Sequence, residues 1–509
     1  MSISRTKDLF QLVQSMTKAE KRAFRSYAGR LQDSDQLLYI RLFDIMQKMK
    51  TADDKVIKRQ LGVEDTVKFS NLKRHLYRQI LTSLRLLHQN RTPSINVREQ
   101  IDFAYVLYGK GLYTAALKVL EKAKKTAETS HLDFLALVVV EFQKVIHSRH
   151  VTHSKAGKIE ALLDASKDYI TTLTDRISLS NLRMRLHKFY VEKGHVKNDE
   201  EHQEVLRYFE ENKPIESPDG LGLIEQVYWY QSHVWYYYIL NDFESCLENA
   251  RRWVALFSEH SDMPARDIDL YLRGFHYALT SAFNLNNLQV FIYYQKGLEA
   301  FRNKHRKRFN ENSRIIALVY TYTARLNRHF LEKSYEQGVD IIPRLNRRIR
   351  RYGEKVDAHK MLVFYFKFAY MYLMASRPEN AIDYLLKIIN DTDSSLRIDI
   401  QVYARLMFLM AHYDLDNIEL IRHLTKQYGR FFKKHDLASL LPNTMLRFFM
   451  TIVNAPLLER KKVVAAHYDK LRQLAQNPYE KRAFLYLDCL SWMGRLSDNN
   501  LPNSNFPFA

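Results

Sequence analysis

The sequence predicts an all-α protein made of long helices and short turns. Only 14 glycines and 11 prolines occur in 509 residues, about 5% of the chain where an average protein has about 12%. Hydrophobic residues make up 46% of the chain, enough for a large core, and they recur at three- and four-residue spacing. Together these observations favour helices over the loop-rich α/β folds of many enzymes.

Charge and cysteine content limit the kinds of protein that this chain can be. The formal charge is +21 and the isoelectric point is about 9.6, an excess that attracts nucleic acid, anionic membrane surfaces or acidic proteins. With only two cysteines, Cys246 and Cys489, a disulfide framework and a cysteine-rich zinc site are excluded. The first residues lack the pattern of a signal peptide, and the longest apolar run, residues 134–140, is too short for a membrane span. We therefore expect a cytoplasmic protein.

The first 92 residues are predicted to form a basic helical module. They contain 19 lysines and arginines against nine acidic residues. Thr17 and Glu20 form a capping-box pattern at the start of one helix. A later helix, beginning near Phe69, is expected to bury an apolar stripe while its basic side chains lie on the other faces. Those basic candidates are Lys73, Arg74 and Arg78.

Residues 55–81 permit a helix-turn-helix interpretation, in which residues 61–63 form the turn and residues 70–78 enter the major groove of DNA. Two positions fit this motif poorly, because Lys58 stands where a small residue is needed and Lys68 where an apolar one is needed. The other interpretation is a helical cap with a solvated basic face. Both interpretations stay open on the sequence.

The clearest local pattern is FAYVLYGKGLYTAALKVLEKA at residues 103–123. Two runs with helical spacing are separated by Gly111, which predicts an antiparallel helix hairpin. Ala104 and Ala116 are small enough to let the two backbones approach closely. A second good pattern surrounds Ala381, and weaker ones, two of them placed by the spacing alone, complete a series with intervals of 40–47 residues. The weaker positions are Cys246, Phe291, Gly338, Ile421 and Ala465, and those placed by spacing are Ala161 and Val205.

These hairpins resemble the tetratricopeptide repeat, which has a small residue in its first helix, Gly and Tyr at the turn, and small and bulky residues in the second. Intervals above the usual 34 residues predict longer helices or links than in the standard unit. The resemblance implies a right-handed array of antiparallel helix pairs, an α-solenoid, over residues 93–496. Residues 497–509, rich in Asn and Pro, are expected to form a loose tail. Pro343 is expected to kink or split one second helix.

The same resemblance implies a groove along the first helices in which an extended peptide of a protein partner binds. The positions that match the inner face of the first helices are Tyr105, Gln231, Trp235, Tyr238, Phe366 and Tyr370. The lysine and asparagine of the family's carboxylate clamp are absent from the matching positions. The competing interpretation places most of these rings in the core between helices. From the groove we predict a non-catalytic scaffold or adaptor.

Two basic runs offer a different function. The run RNKHRKR occupies residues 302–308, and Arg344, Arg347, Arg348 and Arg351 recur at i, i+3, i+4 and i+7, which places them on one helical stripe. Such a stripe can follow phosphates, contact an acidic protein surface or form a solvated face. Together with the N-terminal module, it supports the alternative function of a nucleic-acid-binding regulator.

The sequence contains no pattern for catalysis, a cofactor or a metal ion. His147, His150 and His153 form the only histidine cluster. On a helix the third lies about 60° further round than the second, so we interpret all three as surface histidines. A phosphate-binding glycine loop, a nucleophile elbow and a zinc-protease motif are missing. Enzymatic function and a small-molecule substrate are therefore not expected.

Overall fold

The computed structural model describes residues 6–29, 36–149, 157–260, 267–390, 398–435, 440–477 and 479–496. Of these residues 83% are helical, none is in a β-strand, and 24 helices pack in adjacent pairs. The prediction of an all-α protein is confirmed. No helix in the described ranges is long and apolar enough to cross a membrane. The predicted loose tail lies outside the described residues.

The chain divides into two compact units, Met1–Leu173 and Thr174–Ala509. The helices of the first unit, in chain order, are α1 Thr6–Ser15, α2 Lys18–Ala28, α3 Gln36–Lys48, α4 Asp54–Leu61, α5 Thr66–His88, α6 Pro93–Gly109, α7 Tyr113–Thr129, α8 Asp133–Arg149 and the start of α9 Lys158–Lys193. The boundary between the units falls within α9.

The first five helices have a hydrophobic core of their own, which includes Phe24, Phe43 and Leu76. The expected capping box starts α2. The Thr17 backbone N–H donates to Glu20 Oε2 at 2.7 Å, and the Glu20 N–H donates to Thr17 Oγ1 at 3.2 Å. α5 and α6 are separate helices at the position chosen from the sequence for a domain boundary, residue 92, and both belong to the first compact unit.

The hairpin expected at residues 103–123 is formed by α6 and α7. Gly111 lies in the turn with a φ of 76°, a left-handed conformation that glycine adopts without a steric penalty. Ala104 and Ala116 are fully buried. The two small side chains therefore lie where the helices touch, as the sequence pattern predicted.

The second unit continues the series of helix pairs. Its helices are α10 Asp199–Asn212, α11 Leu223–Ile239, α12 Phe243–Glu259, α13 Ile268–Asn284, α14 Leu288–His305, α15 Glu311–Leu331, α16 Tyr335–Arg350, α17 Ala358–Met374, α18 Pro378–Ile389, α19 Ile398–Asp414, α20 Ile418–Lys434, α21 Leu440–Ile452, α22 Arg460–Leu474, α23 Lys481–Tyr486 and α24 Cys489–Leu496. In the five pairs from α11–α12 to α19–α20, the odd-numbered helix comes first.

These five pairs turn in the same way as the hairpin of the first unit. A residue in the left-handed conformation stands two positions before each second helix. These residues are Asn241, Asn286, Lys333, Ser376 and Asp416, with φ between 52° and 62°. Five positions further along the chain stand buried residues: Cys246, Phe291, Gly338, Ala381 and Ile421. The structure therefore has a hairpin at each of these five expected positions.

At Gly338 the need for a small residue is direct. An added Cβ would lie 2.5 Å from Met371 Sδ and 3.2 Å from His329 Cβ, well inside van der Waals contact. The side chains of the neighbouring first helices fill the space that a larger residue would occupy. Glycine at this position allows α16 to pack against α15 and α17.

Two positions of the expected repeat series are wrong. Ala161 is exposed near the start of α9, so this small residue does not lie at a helix contact. Ala465 is also exposed, and the neighbouring Val464 is buried in its place. Of the two outcomes expected at Pro343, a split is excluded, since α16 runs as one helix from Tyr335 to Arg350, and a kink stays a prediction.

Candidate binding surfaces

Three of the six expected groove residues lie in the core of the second unit. Gln231, Phe366 and Tyr370 are all buried. The Tyr370 hydroxyl accepts a hydrogen bond from the Asp488 backbone N–H at 3.1 Å, and its ring stacks on Phe330 with centroids 5.3 Å apart. Phe366 and Tyr370 face other helices, because α17 is enclosed on most sides, and Gln231 is buried on α11. The prediction that these three side chains line a groove is therefore wrong, because they are core residues.

The other three keep accessible surface. In the first unit, Tyr105 is 55% exposed and stacks on Phe142, with 4.1 Å between ring centroids. In the second unit, Trp235 and Tyr238 on α11 are half-buried. Their rings are 5.8 Å apart, and Trp235 lies 5.8 Å from Tyr277 on α13.

Half-buried rings continue across three successive first helices of the second unit. Beside Tyr277, His276 stacks in parallel on Tyr320 of α15, with ring centroids 4.2 Å apart. We call the five rings of Trp235, Tyr238, His276, Tyr277 and Tyr320 the aromatic ladder. Only its first two members were found from the sequence, because the ladder joins residues that lie more than 30 positions apart in the chain.

Three cations lie beside the aromatic ladder. Burial, together with the positive charges of Lys360, Arg273 and Lys367, lowers the pKa of His276 to about 3, so this ring is neutral at physiological pH. Burial alone lowers the pKa of Lys367 to about 8. Lys367 Nζ donates to Asn327 Oδ1 at 2.7 Å. Among the described residues none of the three cations forms an ion pair with a carboxylate.

The structure brings the two basic runs of the sequence together. The C-terminal end of α14, the start of α15 and the C-terminal end of α16 enclose a cleft of about 940 Å³. Six cations line it, and we call it the basic cleft. They are Arg302, Arg306, Lys307, Arg314, Arg348 and Arg351. Sequence reasoning had singled out all of these except Arg314, which stands alone in its helix and has no basic neighbour to mark it.

The cations of the basic cleft have no carboxylate partners within the part of the chain that the structure describes. Glu299 and Glu311, the acidic side chains of the same helices, are bonded to Arg325 at 2.9 Å and to Lys355 at 2.5 Å. Burial and the neighbouring charge of Arg325 lower the pKa of Arg302. The charge of Glu299 opposes this shift, but Glu299 pairs with Arg325, so no cation of the cleft has an ion-pair partner of its own among the described residues.

The expected arginine stripe is present on α16. Arg344, Arg347, Arg348 and Arg351 are all exposed, while Leu345 and Ile349 on the other side of the helix are buried. Arg348 donates to the Tyr322 hydroxyl at 2.9 Å, which holds its guanidinium against α15. Arg344 lines neither of the two clefts at this end of α16.

A second cleft of about 510 Å³ adjoins the basic cleft. It is lined by Arg347, Arg350 and Arg351 together with Pro343 and Tyr384. Arg351 belongs to both clefts. The cations thus form a continuous series along the surface of the second unit.

The basic candidates of the N-terminal module are placed differently. Lys73 is buried, donates to Thr6 Oγ1 at 2.7 Å and to Asp54 Oδ2 at 3.2 Å, and lies 4.5 Å from the centre of the Phe69 ring. Its charge is therefore used inside the fold. Arg74 and Arg78 are exposed on α5.

The histidine cluster is not the set of surface residues that we expected. His147 is buried on α8, and His150 and His153 lie outside the described residues. Over the described ranges no three His, Cys, Asp or Glu side chains are grouped as metal ligands.

Comparison with known proteins assigns no family. No protein-family model, no curated protein and no solved structure matches this chain. The resemblance to tetratricopeptide repeats therefore stays a prediction that depends on the hairpin residues themselves.

Proposed function

We propose that this protein is a non-catalytic scaffold or adaptor that binds an extended segment of a partner protein along the aromatic ladder. The observation that carries the proposal is the ladder itself. Rings of three successive first helices remain half-buried and lie side by side. The right-handed tetratricopeptide-like array implied by the sequence is part of this proposal, since such arrays present their first helices on one surface.

The chemistry beside the ladder favours an acidic partner segment. Although the charge of Asp357 acts on Lys360 and that of Asp267 on Arg273, Arg273, Lys360 and Lys367 form no ion pair with a carboxylate among the described side chains. A glutamate or aspartate of the partner would supply that charge, and charge-assisted hydrogen bonds are stronger than neutral ones. Aromatic side chains add contact area with little loss of conformational entropy. We place the protein in the cytoplasm because its only two cysteines are free thiols, as a reducing compartment would keep them.

The alternative function, a nucleic-acid-binding regulator that reads DNA through its N-terminal module, has less support. Lys73 is bonded within the fold, which leaves Arg74 and Arg78 as the exposed candidates of α5. Lys68 and Arg85 are also exposed on α5, and four cations on one helix are fewer than the six to ten phosphate contacts of a typical DNA-binding protein.

The proposal is tested by fluorescence anisotropy with a labelled, glutamate-rich peptide and the full chain. We expect the double variant Arg273→Gln and Lys367→Gln to bind the peptide roughly tenfold or more weakly, because two charge-assisted bonds are lost. A matched control changes two exposed arginines that have no ion pair, Arg430→Gln and Arg472→Gln. We call the double variant Arg273→Gln and Lys367→Gln the ladder variant. If it bound the peptide as tightly as the wild type, the aromatic ladder would not be the binding surface.

Affinity purification from the native host then identifies the partner. Wild type, ladder variant and control are compared after nuclease treatment. A scaffold retains its protein partner in nuclease, and the ladder variant loses it. Loss of every partner on nuclease treatment contradicts the proposal.

A further inference from the structure

The basic cleft collects six cations, none of which forms an ion pair with a carboxylate among the described residues. Arg302, Arg306 and Lys307 come from the end of α14, Arg314 from the start of α15, and Arg348 and Arg351 from the end of α16. Bringing like charges together costs electrostatic free energy. An anionic ligand would offset that cost, and the cleft volume of about 940 Å³ is large enough for one.

The helix dipole explains some of these cations but not all of them. Cations are favourable in the last turn of a helix, where Arg302 and Arg348 lie. Arg314 is the fourth residue of α15, at the positive end of the helix dipole, where a cation is unfavourable. Arg306 and Arg351 are the C-cap residues of α14 and α16, at the negative ends of those helices, and Lys307 follows Arg306. The helix dipole therefore gives no reason for Arg314.

The arrangement favours phosphate groups that follow one another along a chain. The second cleft adds Arg347 and Arg350 and shares Arg351 with the basic cleft, so the cations extend beyond the reach of a single small anion. All of these cations except Lys307 are arginines, whose planar guanidinium pairs with phosphate oxygens through two hydrogen bonds. Tyr352, half-buried in the wall of the basic cleft, offers a ring next to them.

We propose that the two clefts bind single-stranded nucleic acid. The strand runs across Arg351 from one cleft to the other, and its phosphates contact the arginines. Proteins of this class combine a positively charged groove with rings on which bases stack. In a duplex the base faces are already stacked on one another, so Tyr352 has no base to contact. The proposal concerns a second ligand, and it does not depend on the aromatic ladder.

Fluorescence anisotropy on the full chain tests this proposal. The probes are a labelled 20-nucleotide oligo(dT), an oligo(rU) of the same length, a DNA duplex of that length and the glutamate-rich peptide. The cleft variant combines Arg314→Gln with Arg351→Gln, two exposed residues without an ion pair. The control variant is again Arg430→Gln with Arg472→Gln, which removes the same charge elsewhere. Circular dichroism melting checks that each variant is folded.

We expect the wild type to bind one or both single strands more tightly than the duplex. The cleft variant should lose roughly tenfold in affinity for each lost arginine contact. The slope of log affinity against log salt should become shallower by about 1.4, since each single-strand phosphate contact contributes about 0.7. The control variant and the single variant Lys367→Gln should bind the single strands as the wild type does.

Several results would overturn the proposal. One is a duplex that binds as tightly as the single strands. Another is an equal loss of affinity in the cleft and control variants, which would show non-specific attraction. A third is that the cleft variant weakens the peptide as much as the oligonucleotide, which would make the cleft a site for acidic protein. Full displacement of the oligonucleotide by stoichiometric ATP would make it a nucleotide site.

A second variant keeps the test decisive if the first is unstable. Arg306→Gln with Lys307→Gln changes two cleft residues that lie in the turn after α14, outside any helix. It should produce the same loss of affinity and the same change in salt slope. Unchanged binding by this folded variant rules out the cleft as the binding site.

Discussion

Residues 1–92 and residues 301–352 have the same excess of ten positive charges, in the first case 19 lysines and arginines against nine acidic residues and in the second 14 against four. In the N-terminal region several cations are bonded within the fold. Lys73 contacts Thr6 and Asp54, and Arg25 pairs with Asp44 at 2.6 Å. In the later region six cations converge on one cleft without a carboxylate partner among the described residues.

This difference shows that excess charge does not by itself identify a binding site. A cation that already bonds within the fold loses that bond when it binds a ligand, so little free energy is gained. A cation that lacks a partner and lies near other cations gains both a bond and relief from repulsion. The relevant property is therefore the pairing of each charge, which depends on the fold.

The largest effects are expected from changes at the small residues where paired helices touch. Residues 1–92 precede these helix pairs, and residues 301–352 belong to them. We expect Ala116→Trp and Ala381→Trp each to reduce the free energy of unfolding by about 1–3 kcal/mol or more, because both sites are fully buried and overpacking forces the helices apart. Ala161→Trp, at an exposed site, is the control. Denaturant titration measures all three, and equal midpoints would remove the structural role of the small residues.

A smaller effect on stability should distinguish cations that are bonded within the fold from cations that form no ion pair. Lys73→Ala should lower the free energy of unfolding by about 1–3 kcal/mol, because it removes two hydrogen bonds and a cation–ring contact. Arg351→Ala should change it by less than about 0.5 kcal/mol, as is usual for exposed residues. Thermal melting of both variants checks this. If Lys73→Ala melts like the wild type, the charge of Lys73 is not used inside the fold.

Oligonucleotide binding extends the same contrast to function. The double variant Arg74→Gln and Arg78→Gln, which changes two of the four exposed cations of α5, should alter single-strand affinity by less than about twofold and leave the salt slope unchanged. The cleft variant should reduce both the single-strand affinity and the salt slope. The measurement is the anisotropy titration at several salt concentrations. If the α5 variant lost more single-strand affinity than the cleft variant, the binding site would lie in the N-terminal module.

The smallest expected effect concerns pH. Burial lowers the pKa of Lys367 in the free protein to about 8, and a bound carboxylate would raise it. The charged form, which favours binding, is therefore present below pH 8 and is lost as the pH rises through 8. Affinity for the glutamate-rich peptide should fall over that range in the wild type and stay constant in Lys367→Gln. A flat profile in the wild type would show that Lys367 does not contact the peptide.

Helical spacing and scarce glycine and proline were enough to predict an all-α chain, and small residues after a turn were enough to locate most of its hairpins. These features are local. The contact of Ala104 with the facing helix follows from residues a few turns away in the chain, and Gly111 marks its own turn. The position Ala161 was wrong because it was placed by a regular interval alone, and its side chain is exposed on α9.

The accessibility of rings and the pairing of charges were decided by the tertiary structure. Trp235 and Tyr370 are each the thirteenth residue of their helices, yet Trp235 is half-buried and Tyr370 is enclosed by Phe330 and the backbone of Asp488, which lies 118 residues away in the chain. Arg314 joins the basic cleft only because α14 and α16 end beside the start of α15. Burial and ion pairing are sums over neighbours that are distant in sequence, so the sequence determined which residues were available and the packing of the helices determined which of them a ligand can reach.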